Sequence, residues 1–187
     1  MTQDAPHLRI EAPSTWIVRF APLVAANGRV LDVACGQGRH SVFFAARGCR
    51  VTAVDRNALA HAGLAGLARI TPVEADIETA LWPLPGERFD AVIVTNYLHR
   101  ALLPDVITAV ADDGVLLYET FARGNEAYGK PSNPDFLLEP GELLWTVAER
   151  LTVVAFEQGV VAPARPAVLQ RVAAVGAARA WPPSLPA

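Results

Sequence analysis

Short apolar runs alternate with segments of helical periodicity along most of this chain. Apolar runs bounded by turn residues are typical of strands buried inside a parallel sheet. The pattern predicts seven strands, at residues 30–33, 50–54, 70–75, 89–95, 115–120, 151–156 and 167–175. It predicts helices at residues 13–26, 39–47, 58–68, 104–111 and 140–150. The alternation of the two kinds of element favours an α/β fold with a mostly parallel sheet.

The most specific pattern lies between Arg29 and Asn57. An apolar strand runs into the sequence Ala34-Cys35-Gly36-Gln37-Gly38, a helix follows, and a second strand ends at Asp55. The two glycines permit a sharp turn and let a ligand approach the backbone closely. Asp55 follows Gly38 by 17 residues, near the spacing at which an acid reaches ribose hydroxyls. The stretch is therefore predicted to bind a nucleoside at the carboxyl ends of the strands.

The residues around the turn distinguish between kinds of nucleoside ligand. A dinucleotide fingerprint places a third glycine where this chain has Ser41. Asp32 precedes the turn, giving D-x-A-x-G-x-G, and its carboxylate suits an ammonium group better than a pyrophosphate. The stretch resembles motif I of the class I S-adenosylmethionine-dependent methyltransferases, with Ala34 in place of the first glycine. From about Pro13 to the last strand, the sequence is similar to their small-molecule branch, near the tellurite-resistance-type methyltransferases.

The resemblance implies a Rossmann-like, doubly wound, seven-stranded sheet whose last strand is antiparallel, and S-adenosyl-L-methionine as the cofactor. It implies that the cofactor-binding residues lie at the turn and at three strand ends: Asp32, Ala34, Cys35, Gly36, Gly38, Arg39, Asp55, Arg56, Asp76, Ile77 and Asn96. Asp76 would accept a hydrogen bond from the adenine amine, and Arg39 would meet the cofactor carboxylate. Asp32 would either lie near the cofactor's amino group or fix the backbone of the turn.

The reaction implied by the resemblance is a direct, in-line displacement of the methyl group. Such chemistry needs mainly the alignment of nucleophile and methyl, so a catalytic residue is hard to assign. Tyr97 and His99 follow the fourth strand and are the catalytic candidates, His99 as a general base. The alternative for His99 is a capping or solvated residue. Trp16 would either form a wall of the site or pack in the core.

A long segment follows the fifth strand, and residues 121–140 are predicted to form a lid-like loop over the acceptor. Long loops in compact domains are usually functional or disordered. The substrate-binding candidates are Tyr97, Arg123, Tyr128 and Lys130. The positive charges of Arg123 and Lys130 would suit an anionic or soft nucleophilic acceptor. The alternative is a solvated surface loop.

Composition sets the remaining expectations. The 187 residues, 52% hydrophobic, fit a single domain spanning residues 1–187, with a mobile N-terminus at 1–12 and a Pro-rich tail at 180–187. The net charge of −3 argues against a nucleic-acid partner. Without a signal-like or membrane-spanning apolar run, the chain is expected to be cytoplasmic, with reduced cysteines and no metal site.

The sequence is thus compatible with three functions: a methyltransferase acting on a small-molecule nucleophile, a non-catalytic S-adenosylmethionine-binding protein, and an NAD-dependent oxidoreductase. The sequence leaves the acceptor and the oligomeric state open.

Overall fold

The computed structural model describes residues 11–79, 81–161 and 166–186. A seven-stranded sheet forms its centre, with strands β1 (Arg29–Val33), β2 (Arg50–Asp55), β3 (Ile70–Glu74), β4 (Phe89–Thr95), β5 (Val110–Phe121), β6 (Thr152–Val161) and β7 (Ala167–Val175). The strand order is β3-β2-β1-β4-β5-β7-β6. The first five strands pair in parallel, and β7 lies antiparallel to both β5 and β6. The predicted α/β, mostly parallel sheet with an antiparallel last strand is confirmed.

Five short helices connect or flank the strands: α1 (Thr15–Phe20), α2 (Arg39–Ala46), α3 (Ala58–Leu64), α4 (Leu103–Thr108) and α5 (Glu142–Ala148). Each is shorter than predicted. The helix expected to reach residue 26 changes after Phe20 into a 3-10 turn, Ala21–Leu23, in which Pro22 lacks the amide hydrogen that an α-helix would use. Gly66, at φ +83°, lies in the segment where α3 was expected to continue.

Both faces of the sheet are buried, and alternate residues of each strand pack into two separate clusters. Leu31, Val33, Leu116 and Tyr118 belong to one cluster, while Val30, Leu117 and Trp16 belong to the other. Trp16 is 2% exposed and donates its indole N–H to the carbonyl of Val172. It therefore packs in the core, the second of its two interpretations.

Two strand boundaries differ from prediction. Residues 112–114, which precede the predicted fifth strand, lie inside β5, because β4 advances from Phe89 to Ala91 while β5 advances from Val110 to Val115. The extra residues form a bulge whose carbonyls accept hydrogen bonds from the segment after β7. The sixth strand, predicted to end at residue 156, continues to Val161, because the later residues extend the antiparallel ladder with β7.

Some predictions fall partly outside the described residues. Residues 1–10 of the expected mobile N-terminus and residue 187 of the expected tail are outside the described residues. Residues 162–165, between the predicted sixth and seventh strands, are outside them as well. Among the helices that are described, none has the length and apolar character required to span a bilayer.

Candidate cofactor and acceptor site

The turn after β1 adopts a backbone that favours glycine. Gly36 and Gly38 have φ of +54° and +77°. Ala34, which lies between the end of β1 and Gly36, has φ +51°. A Cβ on Gly38 would lie 2.5 Å from a methyl carbon of Leu64, whereas a Cβ on Gly36 would meet nothing within 4 Å. Gly38 thus serves the close packing of the turn on α3, and Gly36 leaves open space where a ligand can approach the backbone.

Asp55, at the end of β2, is held against this turn. Its Oδ2 accepts a hydrogen bond from the Gly36 N–H at 2.8 Å, and its Oδ1 accepts one from the Asn57 N–H at 2.9 Å. Each carboxylate oxygen has two lone pairs. Both oxygens therefore keep one lone pair for a further donor such as a ribose hydroxyl.

One of the cavities around the strand ends, the Asp55 cavity, has a volume of about 140 Å³. Its lining contains six of the predicted site residues together with two others: Ala34, Asp55, Arg56, Ala75, Asp76, Ile77, Glu78 and Tyr97. The Asp76 carboxylate accepts a hydrogen bond from the Glu78 N–H at 3.0 Å, and this bond lowers the pKa of Asp76. Asp76 is therefore an ionised acceptor beside an apolar wall, the chemistry that an adenine amine requires.

The second, the turn cavity, has a volume of about 510 Å³. Its lining is Glu11, Ala34, Cys35, Gly36, Gln37, Arg39, Thr95 and Asn96. Ala34 borders both this cavity and the Asp55 cavity. Asn96 has φ +55°, an unusual backbone for a residue other than glycine, and such positions often mark functional sites.

The third, the large cavity, has a volume of about 790 Å³ and lies between the segment after β5 and the ends of β5 and β7. Arg39 and Asn96 line both this cavity and the turn cavity. The three spaces therefore follow one another along the carboxyl ends of β2, β1, β4 and β5, where ligands bind in open α/β sheets.

Asp32 is placed differently from the other predicted cofactor residues. It is 1% exposed, lines none of the three cavities, and accepts a hydrogen bond from the Ser41 hydroxyl at 2.6 Å. Burial raises its pKa to about 6. The bond fixes α2 to the end of β1, as expected if Asp32 orders the turn. Contact between Asp32 and the cofactor stays a prediction.

His40 was not singled out by the sequence, yet it joins three elements of the site. Its Nε2 accepts a hydrogen bond from the Ser14 N–H at 3.1 Å, so the neutral ring carries its proton on Nδ1. Nδ1 lies 3.4 Å from the hydroxyl oxygen of Thr95. Burial lowers the pKa of His40 to about 3, which keeps the ring neutral and able to hold the segment before α1 against β4.

We expect His40 to destabilise the fold in acid. The unfolded chain gains a proton at His40 below pH 6.5, whereas the folded chain does so only near pH 3. The neutral His40 ring therefore stabilises the folded state fully above pH 6.5. This stabilisation is lost as the pH falls from 6.5 towards 3, with a slope of up to about 1.4 kcal/mol per pH unit. Urea unfolding between pH 4 and 6.5 should show a shallower acid loss for His40→Gln than for the wild type.

Asp32→Asn is the control of opposite sign for this experiment. The pKa of Asp32 is raised on folding, so its ionisation lowers stability as the pH rises from about 4 to 6. Its replacement should make the acid loss steeper. Equal slopes in His40→Gln and the wild type would contradict a buried neutral imidazole.

The two catalytic candidates occupy different surroundings. Tyr97 borders the Asp55 cavity, and its buried hydroxyl has no hydrogen-bond partner among the described residues. Burial raises the pKa of Tyr97. His99 begins the 3-10 turn Arg100–Leu102 and lines none of the three cavities. The structure thus brings Tyr97 to the cavities and leaves His99 apart from them.

The segment 121–140 is folded back against the sheet. Leu138 forms a parallel bridge with Ala122, and Arg100 donates hydrogen bonds to the carbonyls of Asp135 and Leu137, both at 2.8 Å. The buried Asn125 donates to the carbonyl of Pro131 and accepts from the Val168 N–H. This segment covers one side of the large cavity, as a lid would.

The substrate-binding candidates on this segment separate into two groups. Tyr128 and Lys130 line the large cavity. Arg123 lines none of the three cavities, and its guanidinium pairs with Glu139 at 2.7 Å. Sequence reasoning missed Glu78, Glu119 and Arg171, because their positions at the cavities depend on contacts between distant segments.

Metal-ligand side chains do not cluster in the part of the chain that the structure describes: no group of three or more could hold an ion there.

Comparisons with known proteins agree with this geometry. A family model described as a methyltransferase domain matches residues 30–113. No curated protein matches the chain. Among solved structures, TehB from Haemophilus influenzae superposes with a TM-score of 0.69 at 20% identity, covering 86% of this chain and 61% of TehB. This chain therefore spans less than two thirds of the TehB chain.

Two further structures have similar folds. A TehB-like S-adenosylmethionine-dependent methyltransferase from Corynebacterium glutamicum has a TM-score of 0.64 at 14% identity, covering 86% of both chains. The 1,6-didemethyltoxoflavin-N1-methyltransferase of Burkholderia thailandensis, solved with its substrate and S-adenosylhomocysteine, has a TM-score of 0.63 at 21% identity, covering 86% of this chain and 76% of that one. Together with the glycine turn and the strand order, the comparisons show that residues 30–113 match a methyltransferase domain and that the fold of this chain resembles that of TehB.

Proposed function

We propose that this protein is an S-adenosylmethionine-dependent methyltransferase that methylates a small-molecule nucleophile bound in the large cavity. The observation that carries the proposal is the continuity of the cavities: Arg39 and Asn96 line both the turn cavity and the large cavity. A volume of about 790 Å³ lies within the range of small-molecule sites. Several neighbours of this fold are small-molecule methyltransferases by their names, which supports the same substrate class here.

The residues present fit S-adenosylmethionine. Gly36 leaves open space beside the turn, Asp55 keeps free lone pairs for ribose hydroxyls, and Asp76 offers an acceptor for the adenine amine. Arg39, 22% exposed in its side chain, lies at the first residue of α2 and pairs with Glu11 at 3.7 Å. We assign it to the cofactor carboxylate, a contact that would compete with Glu11.

S-adenosylmethionine, when bound, supplies an electrophilic methyl group on a sulfonium that becomes a neutral thioether. The chain's own contribution is to align and desolvate the acceptor. Asn96 stands at the junction of the two cavities and Tyr97 follows it, so both are placed to position the reacting groups. The segment 121–140 excludes water from the side of the large cavity that it covers.

The experiment has a binding step and a turnover step. Isothermal titration with S-adenosylmethionine, S-adenosylhomocysteine and NADH should give micromolar binding of the first two and none of NADH. A panel of amines, phenols, thiols and metalloid oxyanions is then screened for S-adenosylhomocysteine release. Saturable release with a small acceptor supports the proposal. Cofactor binding without turnover of any small acceptor would favour a non-catalytic binding protein.

A further inference from the structure

A carboxylate that the cofactor site does not use lies in the wall of the large cavity. Glu119 is 5% exposed and lies on β5, next to Thr95 of β4. Its Oε1 accepts a hydrogen bond from the Ser14 hydroxyl at 2.8 Å. Its Oε2 lies 2.6 Å from Nε of Arg171, yet neither of these buried atoms makes a hydrogen bond. The two groups form an ion pair, and Oε2 keeps a lone pair for a further donor.

Glu119 therefore retains hydrogen-bonding capacity in a buried position. Buried polar atoms in native proteins nearly always have partners, and each exception calls for an explanation. Arg171 also pairs with Glu157 at 3.4 Å on the neighbouring strand, so its guanidinium is shared between two carboxylates. A ligand in the large cavity that donates an N–H or O–H would satisfy the carboxylate.

The lining of the same cavity also carries a positive charge. Lys130, the only lysine in the sequence, lines the cavity, and forms no ion pair with any residue that the structure describes. Phe121 and Tyr128 line the space as well, and such rings favour a planar ligand. An acidic group on the acceptor would pair with the Lys130 ammonium.

We propose that the acceptor is a small planar acid with an N–H or O–H nucleophile, which donates to Glu119 while its acidic group pairs with Lys130. This inference rests on the proposed function and narrows its substrate class.

The test measures binding to protein saturated with S-adenosylhomocysteine. The probes are the three aminobenzoates and three hydroxybenzoates, each compared with benzoate, which lacks the donor, and with aniline or phenol, which lack the acid. We expect at least one bifunctional probe to bind about five-fold or more tighter than both of its matched compounds, the effect of one charge-assisted hydrogen bond or ion pair. Titration calorimetry or ligand-observed NMR gives the affinities.

Two variants assign the preferences to residues. Glu119→Gln should remove the preference over benzoate, and Lys130→Met should remove the preference over aniline or phenol. Glu157→Gln is the matched control, because Glu157 also pairs with Arg171 but does not line the large cavity. Acetylation of the single lysine, read by mass spectrometry, should slow when the preferred probe is present.

The outcomes separate the two proposals. If S-adenosylhomocysteine fails to bind, both the proposed function and this inference are contradicted. If it binds while no bifunctional probe exceeds its matched compounds, or while the preferences persist in both variants, only this inference is overturned. If Glu119→Gln does not fold, Lys130→Met and the acetylation experiment still decide, since Lys130 is exposed.

Discussion

Asp55→Ala is expected to weaken the binding of S-adenosylhomocysteine by about ten-fold or more, the loss of at least one charge-assisted hydrogen bond. The carboxylate lies at the wall of the Asp55 cavity, and each of its oxygens has a lone pair free after bonding to the Gly36 and Asn57 amides. A ribose bound in this cavity would supply two hydroxyl donors to those lone pairs. Isothermal titration calorimetry measures the affinity directly.

Two further variants separate the ribose contact from the shape of the turn. Asp55→Asn keeps an oxygen that can accept from the Gly36 N–H but loses the charge, so it should also bind more weakly than the wild type. Asp113→Ala removes an exposed acid that lines none of the three cavities, and its affinity should be unchanged. Wild-type affinity in Asp55→Ala would refute the ribose assignment.

Gly38→Ala is expected to lower the free energy of unfolding by about 2–4 kcal/mol, from backbone strain together with overpacking. The residue has φ +77°, and the new Cβ would lie 2.5 Å from a methyl carbon of Leu64. Leu64 is fully buried, so its side chain has little room to move away. Chemical denaturation gives the change in unfolding free energy.

Gly36→Ala is the matched comparison within the same turn. Its φ of +54° brings similar strain, about 1–2 kcal/mol, but the added Cβ meets nothing within 4 Å. It should therefore destabilise the fold less than Gly38→Ala. Because Gly36 lines the turn cavity, Gly36→Ala should lose more cofactor affinity than Gly38→Ala for each kcal/mol lost in the free energy of unfolding. The reverse ranking in both measurements would contradict these separate roles.

Two of the errors made from sequence share one cause. The bulge in β5 and the extension of β6 to Val161 each depend on which neighbouring strand the element pairs with. A turn signal such as Asp112-Asp113-Gly114 does not show that the chain after β7 will donate hydrogen bonds to it. Local propensity gives the existence of an element more reliably than its ends.

The proximity of the predicted cofactor residues could be foreseen because most of them are local in the sequence. The turn, α2 and the end of β2 lie within one βαβ unit, and glycine spacing together with a following acid constrains their geometry. Six predicted residues accordingly meet at the Asp55 cavity. Asp32 was predicted with two interpretations, and its burial against Ser41 could not be inferred from the turn alone.

The sequence by itself determined the fold class, the resemblance of the glycine turn to a methyltransferase motif, and the position of that turn relative to Asp55, because these depend on periodicity and short spacing. Only the tertiary structure decided the composition of the large cavity. Ser14 and Glu119 are 105 residues apart in the chain, and Arg171 reaches Glu119 because β7 is inserted between β5 and β6. Strand order is set by the packing of the whole sheet, so contacts that depend on it leave no local signal in the sequence.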